Sequence, residues 1–256
     1  MLTESPSFRI LSNNTLKILA AVIMIIDHTG VLIFPQVIAF RIIGRIGFPI
    51  FAYLIAEGAK HTRNKLRHLL VMGGFAAVIQ IVYFIATKSR QMNVLITFTL
   101  SLLIIYALDH FKNTIFGEIR STKNTVIAAI LLFCAVALAF VFDSSFDLDY
   151  GLAGCMMPVF PALFTTPKIP SPPKIFKTFD TKTFRVLAVG LGALLLALDT
   201  MVAIQFNGLI QLVALWSVPI LLLYSEKRGR INMKYFFYVF YPLHLVVLQG
   251  IALLIK

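Results

Sequence analysis

Long apolar runs, separated by short polar or basic stretches, fill the chain from residue 16 onward. A helix needs about 20 mostly apolar residues to cross the hydrocarbon core of a bilayer. The pattern predicts nine such spans, near residues 16–34, 42–59, 68–87, 94–109, 125–142, 150–166, 184–199, 201–224 and 235–255. The sixth and seventh are short, so each is tilted, broken or buried, and a re-entrant piece there would make room for a tenth element. The segment 167–183, PKIPSPPKIFKTFDTKT, carries four prolines and four lysines and reads as a solvated loop. No internal repeat or separate soluble domain is visible. The expectation is one all-α domain over residues 1–256, a polytopic transmembrane helix bundle.

Composition agrees. The chain is 59% hydrophobic and 13% charged, whereas a soluble domain is about half apolar and a quarter charged. The opening MLTESPSFRILSNNTLK lacks the early apolar core and cleavage site of a secretory signal. In a soluble protein the net charge of +12 would point to nucleic acid. Here it segregates with topology, so the bilayer is the expected partner and nucleic acid is not. One set of loops and the N-terminal tail carry Arg9, Lys60, Arg63, Lys65, Arg67, Lys112, Arg120, Lys123, Lys168, Lys174, Lys177, Lys182, Lys227, Arg228, Arg230 and Lys234. The opposite set carries Lys88, Arg90 and Lys256, with Asp143, Asp147 and Asp149 beside them. Basic residues gather on the cytoplasmic side, which predicts nine spans with the N-terminus inside and the C-terminus outside. Cys134 and Cys155 both lie in apolar runs and read as small core residues. No zinc spacing, phosphate-cradling loop or dinucleotide fingerprint is present, and no metal site is expected.

Charges within spans are costly and usually face a cavity or a partner. The first span holds Asp27 and His28, beyond its midpoint toward the outer side; the second is led by Arg41 and Arg45 and closes with Glu57; the ninth holds His244, just after Pro242. Imidazole exchanges protons near neutral pH, as a general base must, and His28 is the leading candidate. Adjacent helical residues point about 100° apart, so Asp27 need not touch His28 and pairs instead with Arg41 or Arg45. The two arginines lie one helical turn apart and share a face. Arg45 either clamps an anion or developing oxyanion, or holds the first two spans together; Arg41, nearer the outer interface, is expected to snorkel. Pro49, with Gly44 and Gly47 before it, permits a bend whose freed backbone groups face a cavity. Glu57 precedes AKHTRNKLRH, in which His61 and Arg63 are either part of an inner basic loop or a seat for a cytosolic polyanion. His244 is either a cavity wall or a packing residue. Asp149 and Tyr150, in DLDYGLAG, either hydrogen-bond an acceptor or anchor the interface.

Six tracts together resemble the TraX family, named for the protein that acetylates the N-terminus of F-type conjugative pilin. They are LKILAAVIMIIDHTG (16–30), RIIGRIGFPIFAYLIAEGAKHTRN (41–64), NVLITFTLSLL (93–103), DYGLAG (149–154), LWSVPILLLYSEKRG (215–229) and KYFFYVFYPLHLVVL (234–248). They follow the family's order from end to end; residues 110–145 and 160–200 match in hydropathy only. The family in turn is similar to a wider group of membrane acyltransferases of about ten core helices, in which a first-helix histidine is implicated and acetyl-CoA is used from the cytosolic side. The resemblance implies a bacterial inner-membrane acetyltransferase with acetyl-CoA as donor and His28 as catalytic residue. Asp27, Arg45 and His244 would line the same tunnel. The acceptor would be a pilin N-terminal amine, another peptide or a glycan; a homodimer is compatible. Two other readings stand beside it: a proton-coupled transporter or exporter component, and a non-catalytic pilus or envelope assembly factor whose charges pair off with no tunnel.

Overall fold

The computed structural model describes residues 10–117, 121–203, 209–227, 229–231, 233 and 235–255. Arg9, Arg120, Arg228, Lys234, Lys256 and residues 204–208 of the eighth expected span lie outside these. Among the described residues the elements are helical, and strand-like pairing is confined to two isolated bridges, Leu11 with Tyr224 and Met92 with Leu148. Among the described residues, seven helices are long and apolar enough to cross a membrane, and two apolar stretches, Gly151–Leu163 and Leu209–Leu222, are shorter. The fold is a polytopic helical bundle. The seventh expected span is not short: it is a 22-residue helix, Lys182–Ala203. Its start is hidden in the sequence by Lys182 and Arg185, which the fold buries.

Two compact units form. The first comprises residues up to Phe51 and from Ala197 onward; the second is Ala52–Leu196.

In the first unit, α1 (Asn13–Leu32) is capped by Ser12, whose hydroxyl accepts the Thr15 N–H at 3.2 Å. It packs tightly against α2 (Ile38–Gly44). Two glycines make this approach possible: a Cβ on Gly30 would lie 2.5 Å from Phe40 Cβ, and one on Gly44 would lie 2.0 Å from Asp27 Oδ1. The second span then breaks, with Arg45 and Ile46 between α2 and α3 (Gly47–His61). In an unbroken helix the N–H of residue 49 would bond the carbonyl of residue 45. Pro49 has no N–H, and near the start of α3 its absence costs no helical bond. The last helix of the unit, Phe236–Ile255, buries Tyr241, His244, Leu248 and Ala252 along one stripe at helical spacing and packs on α1.

The second unit is built around α5 (Val94–Phe116), buried along most of its length. Around it stand α4 (Lys65–Thr87), α6 (Thr122–Ser145) and the short pair α7 (Gly151–Met156) and α8 (Val159–Leu163). Only Ala128, Ala135 and Ala139 of α6 are buried, while Phe133, Phe140, Val126 and Ile130 are exposed. A helix apolar all round with a thin seam of alanines suits lipid on its outer face. Polar groups lock α5 to α7: Ser101 Oγ donates to the carbonyls of Cys155 (2.7 Å) and Thr97 (2.9 Å), Cys155 Sγ to Thr97 O (3.3 Å), and Thr97 Oγ1 to Asp149 O (2.8 Å). Cys155 is thus a core residue as expected, but Cys134 is exposed on α6.

Lys112, expected in a loop, lies on α5 and is 5% exposed; its ammonium donates to the carbonyls of Ala162 and Thr165, both at 2.9 Å. The proline-rich segment 167–183 is likewise less free than expected. It contains α9 (Lys174–Phe179), and Lys168 bonds Asn113 Oδ1 and the Lys60 carbonyl, each at 2.9 Å. Asp180, just before α10 (Lys182–Ala203), ties this end together by accepting from Lys60 (2.9 Å), Thr166 N–H (2.9 Å) and Arg185.

Two predictions follow from this packing. Burial works to raise the Asp180 carboxyl, but the Thr166 N–H and the hydrogen bond and charge of Lys60 outweigh it and hold the group down at about 2. A depressed carboxyl stabilises the fold fully above its ordinary value of 3.8, and that stability is lost as pH falls toward 2. Asp180→Asn should therefore lower thermal stability in detergent at neutral pH, by about 1–3 kcal/mol, and should flatten the loss of stability between pH 4 and 2 that the wild type shows. Gly44→Ala should drive a methyl group into Asp27 and break its ion pair, at a cost of about 3–5 kcal/mol for the charge left unpaired, seen as a lowered unfolding temperature of the purified protein.

Candidate functional site

Two histidines meet in the first unit. His28, on α1, and His244, on the final helix, have ring centroids 4.9 Å apart in an edge-on arrangement. Each turns its Nδ1 back onto its own helix: His28 to the Met24 carbonyl and His244 to the Phe240 carbonyl, both at 2.9 Å. A carbonyl only accepts, so Nδ1 carries the proton in both rings and Nε2 carries the lone pair. The Nε2 of His244 then sits 3.4 Å from the His28 Nδ1 and takes a long share of that N–H. Phe240 stacks on the His244 ring at 4.8 Å and holds its plane. The Nε2 of His28 has no protein partner among the described residues. This is the one basic atom of the pair left open to a proton donor.

One residue away, Asp27 is taken by Arg41, with a 2.7 Å bond between Nη1 and Oδ1. Arg41 therefore pairs inward instead of snorkelling. The Arg45 N–H still bonds the Arg41 carbonyl at 3.2 Å, so the one-turn spacing holds although α2 ends between them. The Arg45 guanidinium makes no hydrogen bond or ion pair with a described residue, and its Nε is shielded from solvent. Of the two roles the sequence leaves open for Arg45, holding the first spans together falls to Arg41. The first unit thus holds an open imidazole nitrogen on α1 and an uncommitted guanidinium after α2, with the Asp27 carboxylate already neutralised by Arg41.

The remaining candidates lie in the second unit. Glu57 is 7% exposed and bonds the His61 Nε2 at 3.0 Å, while His61 and Arg63 are exposed at the end of α3. Asp149 is held through its backbone, its N–H to Met92 O at 3.3 Å and its carbonyl by Thr97. Tyr150 has a φ of +63° and Gly151 of +58°, a left-handed pair that turns the chain into α7. Two residues that the hydrophobic pattern does not single out also stand apart. Gln211 and Ser217 are buried in Leu209–Leu222, and Gln211 Nε2 and Ser217 Oγ have no partner among the described residues. A glutamine in the middle of the apolar run IQLVALWS was the available signal.

These features define a multi-pass membrane protein with a histidine pair and a spare guanidinium within its spanning helices. The chain belongs to the TraX family: the family's sequence model, described as TraX protein, matches residues 12–252. It is 25% identical over 253 residues to a probable fimbrial assembly protein FimC, serogroup H1, of Dichelobacter nodosus, covering 91% of this chain and 92% of that one. It is also 33% identical over 101 residues to an uncharacterized protein of Rickettsia prowazekii (strain Madrid E), covering 39% and 38% of the two chains. No solved structure matches it.

The tautomer assignment is directly testable. In ¹⁵N-histidine-labelled protein at neutral pH, His28 and His244 should both show a protonated Nδ1 and an unprotonated Nε2. The reverse pattern at either residue would mean that the carbonyl contacts do not control the ring.

Proposed function

We propose that the protein is a membrane-embedded acetyltransferase that moves an acetyl group from acetyl-CoA to an amine or hydroxyl acceptor at or across the bacterial cytoplasmic membrane. The observation that carries this reading is the open Nε2 of His28, whose own Nδ1–H is engaged by the Met24 carbonyl. A neutral imidazole fixed in that tautomer is prepared to accept a proton. As the acceptor nitrogen or oxygen attacks the thioester carbonyl carbon, its proton passes to His28 Nε2. The carbonyl oxygen becomes an oxyanion, for which the uncommitted Arg45 guanidinium is the available counter-charge. Collapse of the adduct breaks the C–S bond, and the departing thiolate takes the proton back from the His28 imidazolium. His244 supports the ring of His28, and the Asp27–Arg41 pair fixes α1 against α2. Transient acetylation of His28 itself is the alternative route through the same residues.

The distribution of basic loops favours an inside N-terminus; His61, Arg63 and their neighbours would then face the cytosol and be available to CoA phosphates. Asp149 and Tyr150, at the opposite end by the same rule, would meet the acceptor. Similarity to a fimbrial assembly protein favours a pilin or other envelope polypeptide as that acceptor. It also favours a second reading, a non-catalytic assembly factor.

Membranes containing the wild-type chain or His28→Gln at equal abundance, supplied with radiolabelled acetyl-CoA, separate these readings. The wild type should transfer label to an envelope polypeptide, and the variant should fall by a factor of about 10²–10⁴. Transfer undiminished in His28→Gln would remove His28 from the chemistry. No transfer by the wild type in membranes containing its native envelope polypeptides would leave the assembly reading.

A further inference from the structure

The short helix α9 (Lys174–Phe179) has two unlike sides. Successive helical residues turn about 100°, so Lys174, Lys177 and Thr178 share one face, and all three are exposed. Ile175, Phe176 and Phe179 make up the other. Phe176 is turned into the bundle, edge-on to Phe116 at 5.2 Å and under the Lys112 ammonium at 5.7 Å. Ile175, at the border of the two faces, is 61% exposed.

The contacts of Phe179 fix the depth of this helix. Its ring meets Phe184 edge-on at 4.8 Å, and Phe184 stands in the first turn of the spanning stretch Lys182–Val202. Phe184, Leu187 and Leu191 form an exposed apolar stripe at helical spacing, the side of α10 that meets lipid. Phe179 is therefore level with the edge of the hydrocarbon. Ile175 lies on the same ridge one turn, about 6 Å, away. The charge around it is one-sided. Asp180 is the only carboxylate between residues 150 and 198, and it is already shared between Lys60 and Arg185. The ammonium groups of Lys174 and Lys177 have no partner among the described residues.

We propose that α9 is an interfacial helix that seats an anionic phospholipid, with Lys174 and Lys177 on the headgroup phosphate and Ile175 against the upper acyl chain; this stands apart from the acetyl-transfer reading. The two sides of the helix select that partner. Two cations one turn apart, with no free carboxylate nearby, favour an anion. An exposed isoleucine level with the hydrocarbon favours an apolar chain attached to it. A soluble phosphate would satisfy the lysines and leave Ile175 in water. A zwitterionic lipid would bring a cation of its own toward the lysines. Lys60, at the end of α3, bonds Asp180 and accepts from Lys168 through its carbonyl, so α9 lies at the end of the bundle that the basic loops favour as cytoplasmic. Anionic lipid there attracts basic segments at the membrane surface.

The test places a bimane fluorophore on Ile175→Cys in the full chain, with the exposed Cys134 changed to Ser and the buried Cys155 left in place. The protein is reconstituted in phosphatidylcholine bilayers containing phosphatidylglycerol, with one or the other lipid brominated in its acyl chains. Both should quench the fluorophore, and phosphatidylglycerol should be preferred by about fivefold for each lysine. In Lys174→Gln/Lys177→Gln the preference should fall close to parity, while the unfolding temperature in detergent stays at the value of the parent protein. Absence of quenching by either lipid would put Ile175 in water and overturn the assignment. Equal quenching by the two lipids would overturn it as well, as would a preference that survives loss of both lysines. A lowered unfolding temperature in the double variant would mean that the lysines fasten the bundle instead. If adenosine 3′,5′-bisphosphate abolished the preference at concentrations far below those needed to screen charge, the lysines would serve a soluble phosphate and the lipid assignment would fall.

Discussion

The ion pair between Asp27 and Arg41 is the constraint on which the rest of the first unit depends. Either charge alone at this depth would be strongly unfavourable, and together they neutralise each other only if α1 and α2 approach closely. That approach is why residues 30 and 44 lack side chains. The pair also sets the rotation of α1. With Asp27 turned to α2, the next residue points about 100° away, which for His28 is toward the final helix and His244. One electrostatic requirement therefore orients the candidate base without touching it.

Polar side chains have two uses in this apolar chain. Thr97, Ser101 and Cys155 are bonded to backbone carbonyls across two helices and act as fasteners. Lys112 is similar, its buried ammonium spread over carbonyl oxygens. His28 and Arg45 are the contrasting case, each with bonding capacity left over. In a low-dielectric interior such capacity is costly to hold in reserve, and reactive sites are where proteins keep it.

The hydrophobic pattern made the membrane class, most helix positions and the charged candidates legible, because apolar length and intramembrane charge are one-dimensional signals. It misjudged elements whose ends carry charges that the fold later satisfies. Arg185 concealed the start of α10 until Asp180 supplied its partner, and Lys112 ended α5 too early because carbonyls from residues 162 and 165 could not be foreseen. Spacing also could not choose between Arg41 and Arg45 for Asp27, since both lie within reach of one helix face. The choice comes from Gly44, which lets α2 close on Asp27. Ring tautomers were illegible for the same reason: they follow from which nitrogen faces a carbonyl, a three-dimensional fact.

The short stretch Gly151–Leu163 bears on how the chain is made. Its 13 residues rise about 20 Å, against roughly 30 Å of hydrocarbon, so by itself it is a poor substrate for the insertion machinery. What holds it at depth is α5, whose Ser101 bonds the Cys155 carbonyl and which is synthesised some fifty residues earlier. The order of the chain thus becomes an order of assembly, in which α5 must already be in the membrane, unaccompanied on one side, when the short stretch emerges from the ribosome. A lesion in α5 would then be felt first as a topology error in the later part of the chain, before any loss of packing in the finished protein.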